Sequence, residues 1–350
     1  MKAAVVRQFG GPLSIDASFP DPACGPRDVI LKVEACGVCR SDYTIWNGGI
    51  EWLGLVPGLP LVLGHEYAGI VEEAGAEVTK VRKGDRVVGP FGHACGACEC
   101  CRDGRQNVCG AIQLPMMHYS GGFAQYTKVA NADVNLVHLP ASVSFEDAAS
   151  LGCRYVTSFR GLVDRAEVKG GEWVAVFACG GVGLAAVQIA TALGASVIAV
   201  SRNAEKLALA KSLGALHTLT AGPDNPAQIA ELTGGGAHVS VDALGAAETA
   251  IPALLSTRAG GRNLRLGVSN KRDNGQVSLP VDVITFREIN VMGSFGMQAA
   301  RFPDMLRMIE SGKLAPGRLV GEKIALEQVG DVLASMASYD TVAMSVITSM

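Results

Sequence analysis

Apolar and polar positions divide the chain into two stretches with different rhythms. Up to about residue 150, short apolar runs stand between Gly, Pro and Asp positions: Ala3-Ala4-Val5-Val6, Val29-Ile30-Leu31-Lys32-Val33, Tyr67-Ala68-Gly69-Ile70-Val71 and Arg86-Val87-Val88-Gly89. Runs of that length bounded by turn residues read as β-strands. From about 155 to 295 the rhythm changes. Apolar strand-like runs at 173–177, 196–200 and 238–242 alternate with helix-period segments at 182–193 and 205–213. That alternation predicts βαβ units and a parallel sheet. A further helix is expected over 301–311 and a closing strand over 342–348.

The stretch 173–200 is almost uncharged. Its length would suit a membrane-spanning helix. Gly180, Gly181, Gly183 and Gly194 interrupt it, so strand, turn, helix and second strand describe it better. With 350 residues the chain is too long for one ordinary core and suggests two domains. The balance of 49% hydrophobic and 18% charged residues provides a large core and excludes a disordered chain. A net charge of −3 offers no basic excess for nucleic acid or an anionic membrane surface. The N-terminal residues show no apolar signal core, so a cytoplasmic protein is expected.

Five of the ten cysteines lie between Cys95 and Cys109. Cys95, Cys98, Cys101 and Cys109 form a C-x2-C-x2-C-x7-C pattern on a polar, Gly-containing loop. Four thiolates so spaced can close a tetrahedron around Zn²⁺, and with no open position the site would be structural. Cys100 is then a bystander. Three separate segments carry a further soft ligand beside glycine: Gly37-Val38-Cys39-Arg40-Ser41-Asp42, Gly64-His65-Glu66 and Gly152-Cys153. Two thiolates and an imidazole suit a zinc with a fourth position left open. Spacing alone does not join them, and a single Cys or His is more often structural.

Together with Gly84-Asp85-Arg86-Val87, Gly180-Gly181-Val182-Gly183 and Asp242-Ala243-Leu244-Gly245, these motifs make the chain resemble the zinc-containing alcohol dehydrogenases of the medium-chain dehydrogenase/reductase superfamily over essentially its whole length. The resemblance implies an α/β fold: a GroES-like β-rich catalytic domain, 1–154 plus 296–350, and a Rossmann-type parallel-sheet domain, 155–295. It implies catalytic zinc ligands at Cys39, His65 and Cys153, hence two Zn²⁺ per chain. By the same resemblance Glu66 is a carboxylate close to the metal, and Asp42 orients the ligand histidine. Ser41 takes the proton from the alcohol. Thr44 stands where many relatives have a histidine that passes the proton on. Thr157 touches the nicotinamide, Lys206 the adenosine ribose and Arg40 the pyrophosphate. Met344 stands near the place of another pyrophosphate-binding arginine.

The turn Ala178-Cys179-Gly180-Gly181-Val182-Gly183 follows a strand and opens a helix, as a dinucleotide phosphate turn requires. Its usual first glycine is Ala178, which a negative φ would accommodate. At the end of the next strand an acidic residue would select NAD by binding the ribose 2′-hydroxyl. Ser201 and Arg202 stand there instead, and a guanidinium suits a 2′-phosphate, so NADP is favoured over NAD. Phe91, Trp46 and Trp52 lie near ligand motifs and either line an apolar substrate pocket or pack in the core.

The expected activity is hydride transfer between a small primary or secondary alcohol, or its carbonyl, and NAD(P) by a homodimer or homotetramer. Two other readings stand beside it. A zinc-free quinone or enone reductase of the same superfamily would lack the Cys39, His65 and Cys153 set. A non-enzymatic zinc-bound structural or regulatory protein would need neither Ser41 nor the glycine turn.

Overall fold

A computed structural model of the chain describes residues 1–268 and 273–350. It divides into two compact units, Met1–Val156 with Gly296–Met350, and Thr157–Phe295. The sequence reading set the first boundary between 154 and 155.

The first unit is built on β-strands. One sheet runs in the order Val320–Ala325, Met344–Ser349, Val29–Gly37, Glu66–Ala74, Arg86–Val88 and Val137–His138, with Tyr126–Val129 also pairing to Val29–Gly37. A smaller sheet orders Leu13–Asp16, Ala3–Val6 and Leu61–Val62. The strand Val29–Gly37 is the spine of the unit. Its alternate residues Val29, Leu31 and Val33 enter a buried cluster with Val71, Val87 and Phe123, following the period-two rule of a sheet with one face inward. Its C-terminal end, Gly37, pairs with Glu66 on the neighbouring strand. The segments that follow Gly37 and precede Glu66 are thereby brought side by side, which positions the site described below.

Among the described residues the strands of the second unit form one sheet, all parallel, in the order His217–Thr220, Ser196–Ser201, Trp173–Phe177, Ala237–Asp242, Thr257–Arg265 and Asn290–Gly293. Numbered along the unit this is 3-2-1-4-5-6, the Rossmann order, whose strand order reverses beside the first strand. Val174, Ala175 and Val176 on that strand are fully buried. The expected α/β architecture is therefore observed. The apolar stretch 173–200 folds as strand Trp173–Phe177, helix Gly181–Ala192 and strand Ser196–Ser201. No helix among the described residues is long and apolar enough to cross a membrane.

Two strands of this sheet were not legible from apolar pattern. Thr257–Arg265 carries Arg258, Gly260, Gly261, Arg262 and Asn263, and Asn290–Gly293 is largely exposed. Sheet membership there comes from backbone pairing to a neighbour already in place, not from a hydrophobic face.

One conformational expectation fails. Ala178 has φ +71°, in the left-handed region and not at a negative value. The strand must turn sharply into the helix at this point, and the carbonyl of Ala178 packs against Gly183. A Cβ on Gly183 would lie 1.9 Å from that oxygen. The first turn of the helix thus sits directly on the loop, and the backbone geometry is imposed on alanine despite its Cβ.

Candidate metal centres and dinucleotide turn

In the first unit two groups of side chains each converge on a point, with ligand atoms all within 4.8 Å of one another: Cys95, Cys98, Cys101 and Cys109, and Cys39, His65, Glu66 and Cys153. The first group is held by a loop with one short helical turn, Glu99–Arg102. Its sulfurs stand 3.5 Å (Cys98–Cys101 and Cys95–Cys109), 3.7 Å (Cys98–Cys109) and 4.0 Å (Cys95–Cys101) apart. A tetrahedron with metal–sulfur bonds of about 2.3 Å has edges of about 3.8 Å, so the donor set fits Zn²⁺. Backbone N–H groups of Ala97 and Cys98 point at the Cys95 sulfur, and those of Cys95 and Ala111 at Cys109. Backbone donors from Cys101 and Gly110 lower the Cys98 thiol to about 6, and thiolates are what a metal binds. Cys100 is outside this group; its carbonyl accepts from the N–H of Arg105.

The second group draws on three segments distant in sequence. Cys39 precedes the helix Arg40–Trp46, His65 precedes the strand Glu66–Ala74, and Cys153 lies in a wide, π-type helical turn, Leu151–Tyr155. Such turns recur at functional sites because they re-aim a side chain. Asp42 is fully buried and bonds the segments of two of these residues, Cys39 and His65. It accepts from the N–H of Cys39 at 2.8 Å and of Gly64 at 3.0 Å, and lies 2.9 Å from His65 Nδ1. That contact leaves Nε2 to face the group, where it is buried without a partner. An orphaned imidazole nitrogen converging with two thiols is what a metal ion would satisfy. Burial works against the His65 imidazolium, but Asp42 and Cys39 outweigh it and hold its pKa well above the ordinary histidine value. Cys39 is pulled well below the ordinary thiol value by a hydrogen bond from Cys153, which is raised in turn. The group therefore gathers negative charge on the Cys39 sulfur, and a thiolate is what Zn²⁺ or another soft dication takes.

Glu66 is fully buried in a fork of hydrogen bonds from Arg154. Burial raises its carboxyl to about 7 against the pull of that guanidinium. Arg154 is the residue that sequence reasoning missed. It stands next to a ligand cysteine and 88 positions from its partner, so no local signal marks it.

The remaining candidates fall differently. Phe91 stands edge-on to His65, ring centres 6.1 Å apart, and so lies at the group. Trp46 does not join it. Its indole N–H donates to the Gly11 carbonyl at 2.8 Å, and the ring packs on the main cluster of the unit. Trp52 is half-buried in the turn Glu51–Leu53. Ser41 is partly exposed on the helix that follows Cys39. Thr44 donates its hydroxyl to the Arg40 carbonyl at 3.1 Å. The Arg40 guanidinium is stacked between the rings of Tyr43 and Tyr339, at 4.3 and 3.6 Å, and also donates to the Met336 carbonyl. Met344 is buried against Ala35 and Ala149.

In the second unit Gly180 precedes the helix Gly181–Ala192 with open space where its Cβ would be. The Val182 carbonyl accepts from Ser158 at 2.8 Å. The helix start therefore presents free N–H groups beside a Cβ-less position, which is how a dinucleotide phosphate is held. Ser201 is buried at the end of the next strand, while Arg202 is 69% exposed and 3.9 Å from Glu248. Asn203 caps the next helix by accepting from the N–H of Lys206, whose side chain is buried. Thr157 is buried on the helix Val156–Arg160.

Two family models match the chain: "Alcohol dehydrogenase GroES-like domain" over residues 25–141 and "Zinc-binding dehydrogenase" over 181–311. An alcohol dehydrogenase of Rhizobium meliloti (strain 1021) is 40% identical over 320 residues, 90% of each chain. A crystal structure described as an NAD-dependent alcohol dehydrogenase matches with TM-score 0.87 and 32% identity over 99% of both chains. A zinc-binding dehydrogenase from Sinorhizobium meliloti 1021, determined bound to NADP, matches with TM-score 0.83 and 30% identity over 99% of this chain and 98% of that one. Fold, thiol sets and sequence agree, and the chain belongs to the zinc-containing alcohol dehydrogenases of the medium-chain dehydrogenase/reductase superfamily.

Proposed function

We propose that the protein is a zinc-dependent alcohol dehydrogenase that moves a hydride between a small primary or secondary alcohol, or the matching carbonyl, and NADP in preference to NAD. The observation that carries this reading is the convergence of Cys39, His65 and Cys153 with the orphaned Nε2 of His65. The same convergence counts against a zinc-free quinone or enone reductase, and the glycine turn counts against a purely structural or regulatory role.

Cys39, His65 and Cys153 would hold the catalytic Zn²⁺, and Cys95, Cys98, Cys101 and Cys109 a structural one, two per chain. When bound, zinc supplies the Lewis acidity that lowers the pKa of an alcohol oxygen, and the nicotinamide supplies the hydride acceptor. The chain's own residues do the rest. Asp42 fixes the tautomer and angle of His65. The Ser41 hydroxyl accepts the proton that leaves the substrate oxygen. Thr44 offers a hydroxyl to continue that path but, unlike a histidine, cannot hold the proton near neutral pH. Phe91 walls the site with an apolar ring, which favours apolar substrates over charged ones.

The pyrophosphate is assigned to Gly180, Gly181, Val182 and Gly183, with Thr157 at the nicotinamide and Lys206 at the adenosine ribose. One solved relative is described as NAD-dependent and another was determined bound to NADP, so the preference rests on this chain's Ser201 and Arg202. The Arg202–Glu248 pair is exposed and worth about 0–1 kcal/mol, too little to keep the guanidinium from a 2′-phosphate. Six cysteines gathered in two candidate metal sites suit a reducing compartment, which supports a cytoplasmic location.

A panel of alcohols and aldehydes, followed by nicotinamide absorbance with each cofactor, tests the activity. Cys39→Ser and His65→Ala are expected to abolish turnover while circular dichroism and cofactor binding persist. Activity within about tenfold of the parent in either variant overturns the catalytic zinc assignment.

A further inference from the structure

The Arg154 guanidinium reaches the catalytic group through Glu66, and nothing in the proposed chemistry yet uses it. Its Nε lies 3.0 Å from both oxygens of Glu66, and its Nη2 lies 2.6 Å from Oε2. The same Nη2 donates to the Val38 carbonyl at 2.7 Å, and the Arg154 backbone N–H donates to Glu66 Oε1 at 3.0 Å. Three chain neighbours are thus joined. Val38 adjoins Cys39, Glu66 adjoins His65, and Arg154 itself adjoins Cys153. One side chain ties together the three segments that carry the three ligands. The space for this arrangement is made by glycine: a Cβ on Gly37 would stand 2.8 Å from Glu66 Oε2, and one on Gly152 would stand 3.1 Å from the Glu66 Cα.

Glu66 is itself within ligand range of Cys39, His65 and Cys153. A centre with four protein ligands is closed and structural, whereas three ligands and an open corner make a catalytic one. A fully buried carboxylate stays ionised only beside a cation. Two are on offer at this position, the guanidinium and a metal ion, and the observed hydrogen bonds give the carboxylate to the guanidinium.

We propose that Arg154 is a positioning residue of the metal centre, which engages both oxygens of Glu66 and so keeps the fourth corner open to a substrate oxygen. This rests on the catalytic zinc reading above. The positioning works through geometry. The planar fork meets the carboxylate at two atoms and still reaches Val38, which a lysine ammonium on a flexible stem does not reproduce.

The test uses the full-length protein loaded with Co²⁺ in place of zinc and titrated with imidazole, read by the visible absorption of the metal. The four-thiolate site is closed and contributes a constant background. In the parent, imidazole is expected to shift the spectrum as it enters the open corner. In Arg154→Gln, Glu66 is expected to take that corner. The spectrum before titration then differs from the parent's, and imidazole affinity falls at least about tenfold. The double variant Glu66→Gln with Arg154→Gln removes both buried charges and is expected to recover imidazole binding to within about threefold of the parent. Arg154→Lys, which keeps the buried charge, is expected to fall between parent and Arg154→Gln, and it carries the comparison if Arg154→Gln does not fold. Parent-like spectrum and imidazole affinity in the folded Arg154 variants overturn the proposal. So does a loss in Arg154→Gln that the double variant fails to recover, because the effect would then not run through Glu66. A parent that takes up no second Co²⁺, or shows no imidazole shift, overturns the zinc reading itself.

Discussion

At the scale of single residues the chain departs from its family in ways that have measurable consequences. Ala178 is held at φ +71° at the start of the phosphate turn. An L-residue there costs about 1–2 kcal/mol. Glycine would remove that cost but bring about 0.4–1 kcal/mol of extra freedom in the unfolded chain. Ala178→Gly is therefore expected to raise stability, by up to about 1.6 kcal/mol, in a denaturant titration; a destabilised variant would show that the alanine is not strained. Gly183 allows no such exchange, since its Cβ would meet the Ala178 oxygen at 1.9 Å. At the adenosine end, Arg202→Ala is expected to lower kcat/KM for NADP(H) about tenfold while NAD(H) changes little, the lower end for a charge-assisted bond because Arg202 is 69% exposed. Ser201→Asp should swing the preference to NAD(H), by accepting from a 2′-hydroxyl and repelling a 2′-phosphate. A parent that already prefers NAD(H), with Arg202→Ala affecting both cofactors alike, would make Arg202 a solvated surface residue.

At the scale of elements, the cysteine loop is the clearest case of a segment that cannot hold itself by burial. Between Cys95 and Cys109 there is one helical turn, Glu99–Arg102, and a short 3₁₀ turn, Gln106–Val108. The cluster beneath it consists of Ala94, Cys101 and Cys109, flanked by Cys95, Cys98, Ile112 and Val134. Its core is therefore made largely of the ligands themselves, and metal binding would supply the folding energy that apolar burial does not. Elemental analysis of the purified protein is expected to give two zinc per chain. Cys98→Ser should reduce that to about one and lower stability by several kcal/mol; a variant that keeps the parent's zinc content and unfolding midpoint would remove the structural site. The group of Cys39, His65 and Cys153 differs in kind. Its ligands sit at the ends of elements whose positions are set by the main sheet, with Gly37 paired to Glu66, so loss of its metal should cost activity before it costs the fold.

At the scale of the whole molecule, the second unit ends in an edge strand, Asn290–Gly293, whose outer side has no strand partner among the described residues. The helix before it presents Phe286, 88% exposed, and Val281, 66% exposed. An unpaired edge beside exposed apolar side chains invites association, and a second copy offers the same edge in return under two-fold symmetry. These features support the proposal of a homodimer or homotetramer. Sedimentation should find the parent larger than a monomer. Phe286→Glu with Val291→Lys should shift it toward monomer while zinc content stays the same. A monomeric parent, or an unshifted variant, would place any interface elsewhere.

Much of this molecule was written locally. The alternation of apolar strands and helix-period segments determined the parallel sheet, because a strand buried on both faces must be apolar throughout. The spacing of Cys95, Cys98, Cys101 and Cys109 determined a thiol cluster, because a short loop leaves those sulfurs nowhere else to meet. The glycine turn was legible because only a Cβ-less chain can pass as close as Gly183 passes to Ala178. Tertiary structure alone decided the rest. Cys39, His65 and Cys153 are weak signals singly, and pattern reading could join them only through family resemblance. Their convergence depends on the register that sets Gly37 beside Glu66 and on the wide turn that aims Cys153. The Glu66–Arg154 fork links residues 88 apart and follows no period. Trp46, close to Cys39 in sequence, read equally as a pocket or a core residue, and its N–H is taken by the Gly11 carbonyl while its ring packs on the main cluster. Ala178 read as tolerable until the turn fixed its φ. A sequence records which side chains are available and what local backbone they prefer. Which of them meet, and which conformations are then forced on them, is set by the packing of elements far apart along the chain.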